Sequence, residues 1–329
     1  MAVAARVLIV GTGSIGERHV RCFHRTGRAD VAICEIDETL RRQISDRYGI
    51  QQIYADLGAA LQGSFDAAVI CTPAHLHIPM ALELARAGVH LLIEKPLSTS
   101  VEGVAALRET LQARNLLAAV AYVYRAHPAL AAMREAIADG RFGCPVQLVA
   151  VCGQHFPAYR PAYRQIYYKD RATGGGAVQD ALTHIFNAGE WLVGAIDRVV
   201  ADAAHQVLEG VDVEDTVHVI ARHRDVLGCY SLNQHQAPNE VTITVVGQRG
   251  TARFESHHQR WRWMTDAGGA WTDEPLDELS RDAMFELQAE QFLDALQGTE
   301  PPLCSLDEAL QTLHVNQAVL RSIDNRRWE

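Results

Sequence analysis

Short runs of β-branched and other apolar residues punctuate the first part of the chain: Arg6–Val10, Val31–Glu35, Ala67–Cys71, His90–Glu94 and Leu117–Tyr122. Amphipathic stretches lie between them and end at Gly27, Gly49 and Gly88, where glycine serves as a helix C-cap. Thr99-x-x-Glu102 reads as a capping box opening a helix that runs to about Asn115. Strand–helix alternation of this kind predicts an α/β layer: a doubly wound parallel sheet with helices on both faces.

After Arg125 the pattern changes. A helix over His127–Asp139 precedes a strand near Pro145–Gly153, a loop-rich section and a helix over Ala177–Val193. Alternating segments then follow in series at Arg198–Val207, Thr216–Arg222, Leu227–Asn233, Val241–Val246 and Thr251–Glu255. Serial strands with short turns predict a large, mainly antiparallel open sheet. Two helices close the chain, the second opened by the capping box Ser305-x-x-Glu308. The expected organisation is a first domain over residues 1–123 and an α+β domain over residues 124–329, with no internal repeat and no low-complexity linker.

Composition narrows the functional classes. The chain has 329 residues, 48% of them hydrophobic, and a net charge of -10. It can build a sizeable core. The acidic balance argues against a nucleic-acid partner, because counterion release needs clustered positive charge. No apolar run approaches the roughly 20 residues of a membrane span, and strand-like residues begin close behind Met1. The seven cysteines include no C-x-x-C pair and several sit in apolar runs, the pattern of buried free thiols in a reducing, cytoplasmic compartment. Of the 30 basic residues only Lys95 and Lys169 are lysines. Arginine does not give up its proton and lysine does, so each lysine is a candidate for proton chemistry.

Gly11-Thr-Gly13-Ser14-Ile15-Gly16 follows a predicted strand and opens a helix. The first glycine makes the tight turn, the second admits a pyrophosphate, and the third allows close helix–strand packing above a helix N-terminus that favours an anion. Glu35 ends the next strand, where an acidic side chain binds the adenosine ribose and repels a 2′-phosphate, so NAD is the expected cofactor. Cys71-Thr72-Pro73 and Glu94-Lys95-Pro96 end two further strands, and ligands in such sheets sit beyond strand carboxyl ends. That topology puts Lys95 on the nicotinamide side.

At these residues the chain resembles the glucose-fructose oxidoreductase / inositol dehydrogenase / MocA family (Gfo/Idh/MocA). The matching residues are Gly11-x-Gly13-x-x-Gly16-x-x-His19, Thr72-Pro73 with His77, Glu94-Lys95-Pro96, Gly174-Gly-Gly176 and Asp180-x-x-x-His184. The resemblance covers essentially the whole chain. It implies a Rossmann domain and an α+β domain whose open sheet forms a homodimer or homotetramer interface. It also implies NAD-dependent oxidation or reduction of a sugar, cyclitol or related hydroxyl compound. His75, Val123 and Asn187 depart from frequent family residues, as does Ala181-Leu-Thr183, so the substrate is not carried over.

Asp180 and His184 lie four apart on a predicted helix and share one face. Hydride transfer from a hydroxyl carbon also requires loss of the hydroxyl proton, and histidine suits that base role near neutral pH. Asp180 then orients the imidazole or holds a neighbouring hydroxyl. By resemblance, Lys95 contacts the reacting oxygen. A metal site from Asp180, His184 and His155 is conceivable, but no dense ligand motif supports it and no metal is expected.

Residues 154–171 hold four tyrosines of nine, with Arg160, Arg164, Lys169 and Arg171 against Asp170. Aromatic faces and guanidinium forks suit a polyhydroxylated or anionic ligand. This segment is the expected substrate lid, with His155, Arg160, Tyr163, Arg164, Tyr167 and Lys169 joining Asp180 and His184. A surface loop covering the sheet is the plainer reading. The expected activity is an NAD-dependent sugar or cyclitol dehydrogenase. The alternative is an NAD-retaining glycoside hydrolase or lyase that oxidises transiently and eliminates. A non-catalytic NAD sensor is disfavoured because Lys95, Asp180 and His184 are all present.

Overall fold

The computed structural model describes residues 4–275 and 278–325. The chain divides into two compact units, one of residues up to Ala126 together with Ser280–Ala309, the other of His127–Leu279 with the residues from Leu310 onward. The change of pattern near residues 123–124 thus falls beside the contact boundary at Ala126. The return of Ser280–Ala309 to the first unit has no counterpart in the pattern.

In the first unit, strands β1 (Ala5–Val10), β2 (Ala29–Cys34), β3 (Ile53–Tyr54), β4 (Ala67–Ile70), β5 (His90–Ile93) and β6 (Ala118–Val120) form one parallel sheet of order β3-β2-β1-β4-β5-β6. Val7, Leu8 and Ile9 are fully buried, as expected for a central parallel strand covered on both faces. Helices α1 (Ser14–Arg25), α2 (Glu38–Tyr48), α3 (Leu57–Ala60), α4 (His77–Arg86) and α5 (Val104–Arg114) make the connections. Strand order reverses between β1 and β4, which opens a crevice at their carboxyl ends.

One expected cap is corrected. Helix α5 starts at Val104 with Gly103 as N-cap at φ 77°, not at the Thr99–Glu102 box. A Cβ on Gly103 would stand 2.9 Å from Ile78 Cγ2, so packing against α4 requires that left-handed glycine and sets the start of the helix.

The second unit carries α6 (Pro128–Ala138), α7 (Phe156–Tyr159), α8 (Thr183–Val193) and strands β7 (Pro145–Gly153), β8 (Arg198–Ala204), β9 (Thr216–His223), β10 (Val226–Asn233), β11 (Glu240–Gly247), β12 (Gly250–Glu255), β13 (Arg260–Met264) and β14 (Thr272–Pro275). Their sheet runs β14-β13-β12-β11-β7-β10-β9-β8. Only β7 and β10 pair in parallel; the other neighbours are antiparallel. Alternation along β9 buries Val217, Val219, Ala221 and His223 on one face and leaves His218 and Ile220 on the other, uncovered face.

Helix α9 (Ala283–Leu296) belongs to the first unit and packs on α1. Phe285, Ala289, Phe292 and Leu293 enter the core with Val20 and Phe23. Asp282 sits within ion-pair distance of Arg18, Arg21 and Arg25, and Arg28 reaches Glu290 and Asp294. Helix α10 (Leu306–Asn325) opens as expected, with Ser305 N–H donating to Glu308 Oε2 at 2.9 Å. Among the described residues no helix is long and apolar enough to cross a membrane.

Candidate active site

In the first unit the Gly11–Gly16 turn lies at the β1/β4 crevice. Gly11 has φ 83°, and a Cβ there would press on the Cys71 carbonyl at 3.2 Å. A Cβ on Gly16 would fall 1.9 Å from Gly11 O, so only glycine lets α1 approach its own turn. Gly13, the N-cap of α1, has open space where its Cβ would stand and no side chain capping the helix amides. This backbone cradle at a helix N-terminus fits a dinucleotide pyrophosphate.

Glu35 is buried just past β2. Its Oε2 accepts Thr12 N–H at 2.7 Å and its Oε1 accepts Asp37 N–H at 3.0 Å. Oε2 also accepts the Thr12 hydroxyl at 3.2 Å, so the carboxylate holds the glycine turn through one oxygen, while Oε1 keeps a further lone pair for a hydroxyl. Ile36 follows it and is 84% exposed. The motif did not flag Ile36; an apolar residue directly after the ribose-position acid is the available signal.

His77 does not project into the crevice. It is 1% exposed and its ring bridges Thr72 O at 2.8 Å and Pro96 O at 3.0 Å. It thereby ties the Thr72-Pro73 turn to the turn after Lys95. Glu94 also faces inward, with Oε1 accepting His19 Nε2–H at 2.7 Å and Oε2 accepting Lys95 N–H at 3.0 Å. Lys95 is half-buried, and its peptide bond to Pro96 is cis.

In the second unit Asp180 lies on a π-helical turn, Val178–Leu182, that runs directly into α8, where His184 is half-buried. Such single π turns inside helices are frequent at functional sites. The sequence pattern predicted an unbroken helix here; the added backbone residue per turn is not a property of side-chain spacing. Asp180 is nearly inaccessible, at 2% exposure. Tyr167 donates to its Oδ1 at 2.6 Å, and Arg160 stands 3.5 Å from its Oδ2. The Asp180 charge in turn holds the Arg160 guanidinium more firmly protonated. His155 packs against His235, ring centroids 4.6 Å apart and the planes tilted by 48°.

The rest of the expected lid is placed elsewhere. Tyr163 is buried, gives its hydroxyl to Glu209 O at 2.9 Å, and packs with Phe156, Tyr168, Leu208, Val211 and Val213. Arg164 turns to Glu209 at 3.2 Å. Lys169 lines a separate cleft with Arg171, Asp202, His205, Asp212, Glu214 and Asp324. Of the aromatic and basic residues of this segment, Arg160 and Tyr167 meet Asp180 directly.

Among the described residues, the one group of ligand-type atoms within 4.8 Å of one another is Cys22, Asp282 and Glu286. Arg21 holds Asp282 through two nitrogens and Arg25 holds Glu286. Burial pushes the Cys22 thiol up to about 12. Those carboxylates are committed to guanidinium groups, which is helix stapling and not cation binding.

Comparison with known proteins agrees with this geometry. The oxidoreductase family with an NAD-binding Rossmann fold matches residues 5–122, and the GFO/IDH/MocA C-terminal domain matches residues 130–253. The inositol 2-dehydrogenase of Rhizobium meliloti (strain 1021) is 26% identical over 346 residues, covering 99% of this chain and 98% of that protein. A levoglucosan dehydrogenase of Pseudarthrobacter phenanthrenivorans is 27% identical over 248 residues, a match spanning 68% of this chain and 64% of that protein. A solved levoglucosan dehydrogenase, in complex with NADH and levoglucosan, has the same fold, with a TM-score of 0.89 at 21% identity over 99% of both chains. The WlbA dehydrogenase from Bordetella pertussis, in complex with NADH and UDP-GlcNAcA, gives a TM-score of 0.83 at 25% identity, over 98% of this chain and 97% of that one. With both domains matched in order along the chain, and with the glycine cradle and Glu35 in place at the β1/β4 crevice, this protein belongs to the GFO/IDH/MocA family and is an NAD-dependent oxidoreductase.

Proposed function

We propose that this enzyme is a dehydrogenase that oxidises, or in reverse forms, a secondary hydroxyl on a sugar, sugar derivative or cyclitol. The observation that carries the reading is the buried Asp180 on a π turn with His184 four positions on, in a chain whose other unit holds the dinucleotide cradle. The relatives named for inositol and levoglucosan support a polyhydroxylated substrate.

NAD supplies the hydride acceptor. Gly11, Gly13, Ser14, Ile15 and Gly16 hold the pyrophosphate at the start of α1, and Glu35 takes the ribose hydroxyls. Ile36 gives the adenine an apolar surface to cover. Thr72 and Pro73 line the nicotinamide side. His184 removes the hydroxyl proton as general base, since imidazole titrates near neutral pH. Lys95 hydrogen-bonds the same oxygen, stabilising the charge that develops as the proton leaves. Asp180 orients the reacting group as an acceptor.

The test is an absorbance assay for NADH with a panel of polyols, sugars, uronates and glycosides, using NAD and NADP. His184→Ala and Lys95→Met are expected to lose at least 100-fold in kcat, a general acid–base contribution of about 10²–10⁴, while NAD binding is retained. Near-normal turnover in both variants overturns the assignment. Sugar release without net NADH would support the hydrolase alternative.

We further propose that the uncovered sheet face joins two or four copies of the chain. Val200 and Ile220 are exposed there in register across β8 and β9, with Leu227 on β10. Ile220→Asp should shift the sedimentation coefficient toward the monomer. A cytoplasmic location is consistent with seven free cysteines, five of them buried.

A further inference from the structure

We propose that Tyr167 is a positioning residue for Asp180: its phenol fixes the orientation and the charge of the aspartate, and it does not itself bind substrate. This rests on the reading of Asp180 as part of the reacting site.

The geometry is specific. Tyr167 Oη donates to Asp180 Oδ1 at 2.6 Å, the length of an O–H···O⁻ bond to an ionised carboxylate. The ion pair with Arg160 on the other oxygen is longer, at 3.5 Å, and that guanidinium is half exposed. The phenol is therefore closer to the carboxylate than the guanidinium is, and burial of the carboxylate makes its loss costly.

The surrounding chain explains why Tyr167 faces this way. Its neighbour Tyr168 is buried against Phe156 and Tyr163, ring centroids 5.0 and 6.1 Å away, and on the 3-10 turn Tyr167–Lys169 the side chain before it points about a third of a turn away from that cluster. Thr173 Oγ1–H donates to Tyr167 O at 2.9 Å and Gly175 N–H to Asp170 O at 2.9 Å, folding the segment onto the start of the π turn. A Cβ on Gly175 would lie 2.2 Å from Tyr168 O. The glycine run thus does more than admit a tight loop: Gly175 lets the Tyr167–Asp170 backbone lie against the helix that carries Asp180. Arg160 is itself held over the Phe156 ring at 5.4 Å. The two residues of the expected lid that meet Asp180 are anchored by the aromatic cluster beneath them.

The chemistry follows. A donor on Oδ1 favours the ionised carboxylate and leaves it acceptor-only, so it can receive a substrate hydroxyl or an imidazole N–H without offering a proton of its own. Removing the phenol oxygen should raise the carboxyl pKa and free its rotamer.

The experiment is a double-mutant cycle in kcat/KM with Tyr167→Phe, Asp180→Asn and the double variant, with a pH profile for each active protein and NAD affinity measured by fluorescence. Tyr167→Phe should lose about tenfold or more in kcat/KM, the worth of a charge-assisted hydrogen bond. It should also raise the pH at which the Asp180 carboxyl titrates, with NAD affinity unchanged. In the Asp180→Asn background the same change should cost little further, because a residue acting through another is not additive with it. Additive losses overturn the proposal and leave the dehydrogenase reading intact. Full activity of Asp180→Asn instead overturns the reading of Asp180 and this proposal with it. An infrared titration of the carboxyl band, with Asp180→Asn as the blank, reads the same pKa shift without turnover; no difference between wild type and Tyr167→Phe counts against the proposal.

Discussion

His19 Nε2 lies 2.7 Å from Glu94 Oε1, joining the first turns of α1 to the strand end that carries Lys95 across 75 positions of chain. Both side chains are buried, and the second oxygen of Glu94 accepts Lys95 N–H. The histidine of the glycine motif and the glutamate before the lysine are thus one structural unit. What that pair orients is the backbone of the residue proposed to touch the reacting oxygen.

His19→Leu should be markedly destabilising, by about 3 kcal/mol, because it removes the charge partner from one oxygen of a buried carboxylate. Thermal unfolding checks this. His19→Leu with Glu94→Leu together should lose less than the sum of the single variants. Additivity within about 0.5 kcal/mol would show that the two do not act as a pair.

The glycine turn separates folding from binding. Gly16→Ala places a methyl group 1.9 Å from Gly11 O, so a lowered Tm and poor yield of folded protein are expected. Gly13→Ala meets no protein atom within 4 Å and should fold with a near-normal Tm. Its NAD dissociation constant should nonetheless rise tenfold or more, about 1.4 kcal/mol, since its space is that of the pyrophosphate. Equal NAD affinity for Gly13→Ala and wild type would remove the pyrophosphate from that position.

Glu35→Gln tests the ribose end. The amide matches only one of the two backbone N–H groups that Glu35 now accepts from Thr12 and Asp37, and it lacks the charge that repels a 2′-phosphate. NAD should bind more weakly and the preference over NADP should narrow, read as the ratio of kcat/KM for the two cofactors.

Acid stability has a defined source in His127. The imidazole is 2% exposed, edge-on to Phe254 with ring centroids 4.7 Å apart, and burial lowers its pKa to about 4 from 6.5. The unfolded chain takes up this proton as pH falls below 6.5, whereas the folded chain does so only near 4. Stability contributed by the neutral ring is therefore intact above 6.5 and declines as pH drops toward 4, by at most about 3 kcal/mol. His127→Phe should flatten that part of the stability–pH curve, measured by urea denaturation at pH 7 and pH 4.5. An unchanged slope would place the acid sensitivity elsewhere.

Much of the first unit was legible in the sequence because its signals are local. Apolar runs such as Arg6–Val10 had to become buried strands, and Gly11 and Gly16 had to mark a turn whose conformation and close packing only glycine meets. Glu35 followed from its place at a strand end. Ser305 and Glu308 formed their capping box because both partners lie within one turn. The Thr99–Glu102 box has equally good letters but is displaced, because the close approach of Ile78 selects Gly103 as the cap.

In the second unit, alternation along β9 and β10 foretold a half-covered sheet, while the parallel β7–β10 pairing, whose partners stand far apart in the chain, carried no local mark. The expected lid shows the limit most clearly. Its composition suggested six ligand-facing residues, yet Tyr163 is core, Arg164 serves Glu209, and Lys169 lies in another cleft. Charge and aromaticity say which contacts a residue is able to make, and neighbours from distant segments decide which contacts it does make.

The sequence alone determined the order of the two architectures, the dinucleotide turn, the NAD-type acid at Glu35 and the residues Lys95, Asp180 and His184 as candidates, since each depends on residue type at fixed short spacing. Tertiary structure decided that Ser280–Ala309 returns to the first unit, that His19 holds the Glu94 carboxylate and that His77 holds backbone carbonyls. It also decided that Tyr167 faces Asp180. Those outcomes depend on which segments pack together, and burial of apolar surface, which drives that packing, is non-directional and leaves no signature at any one position of the chain.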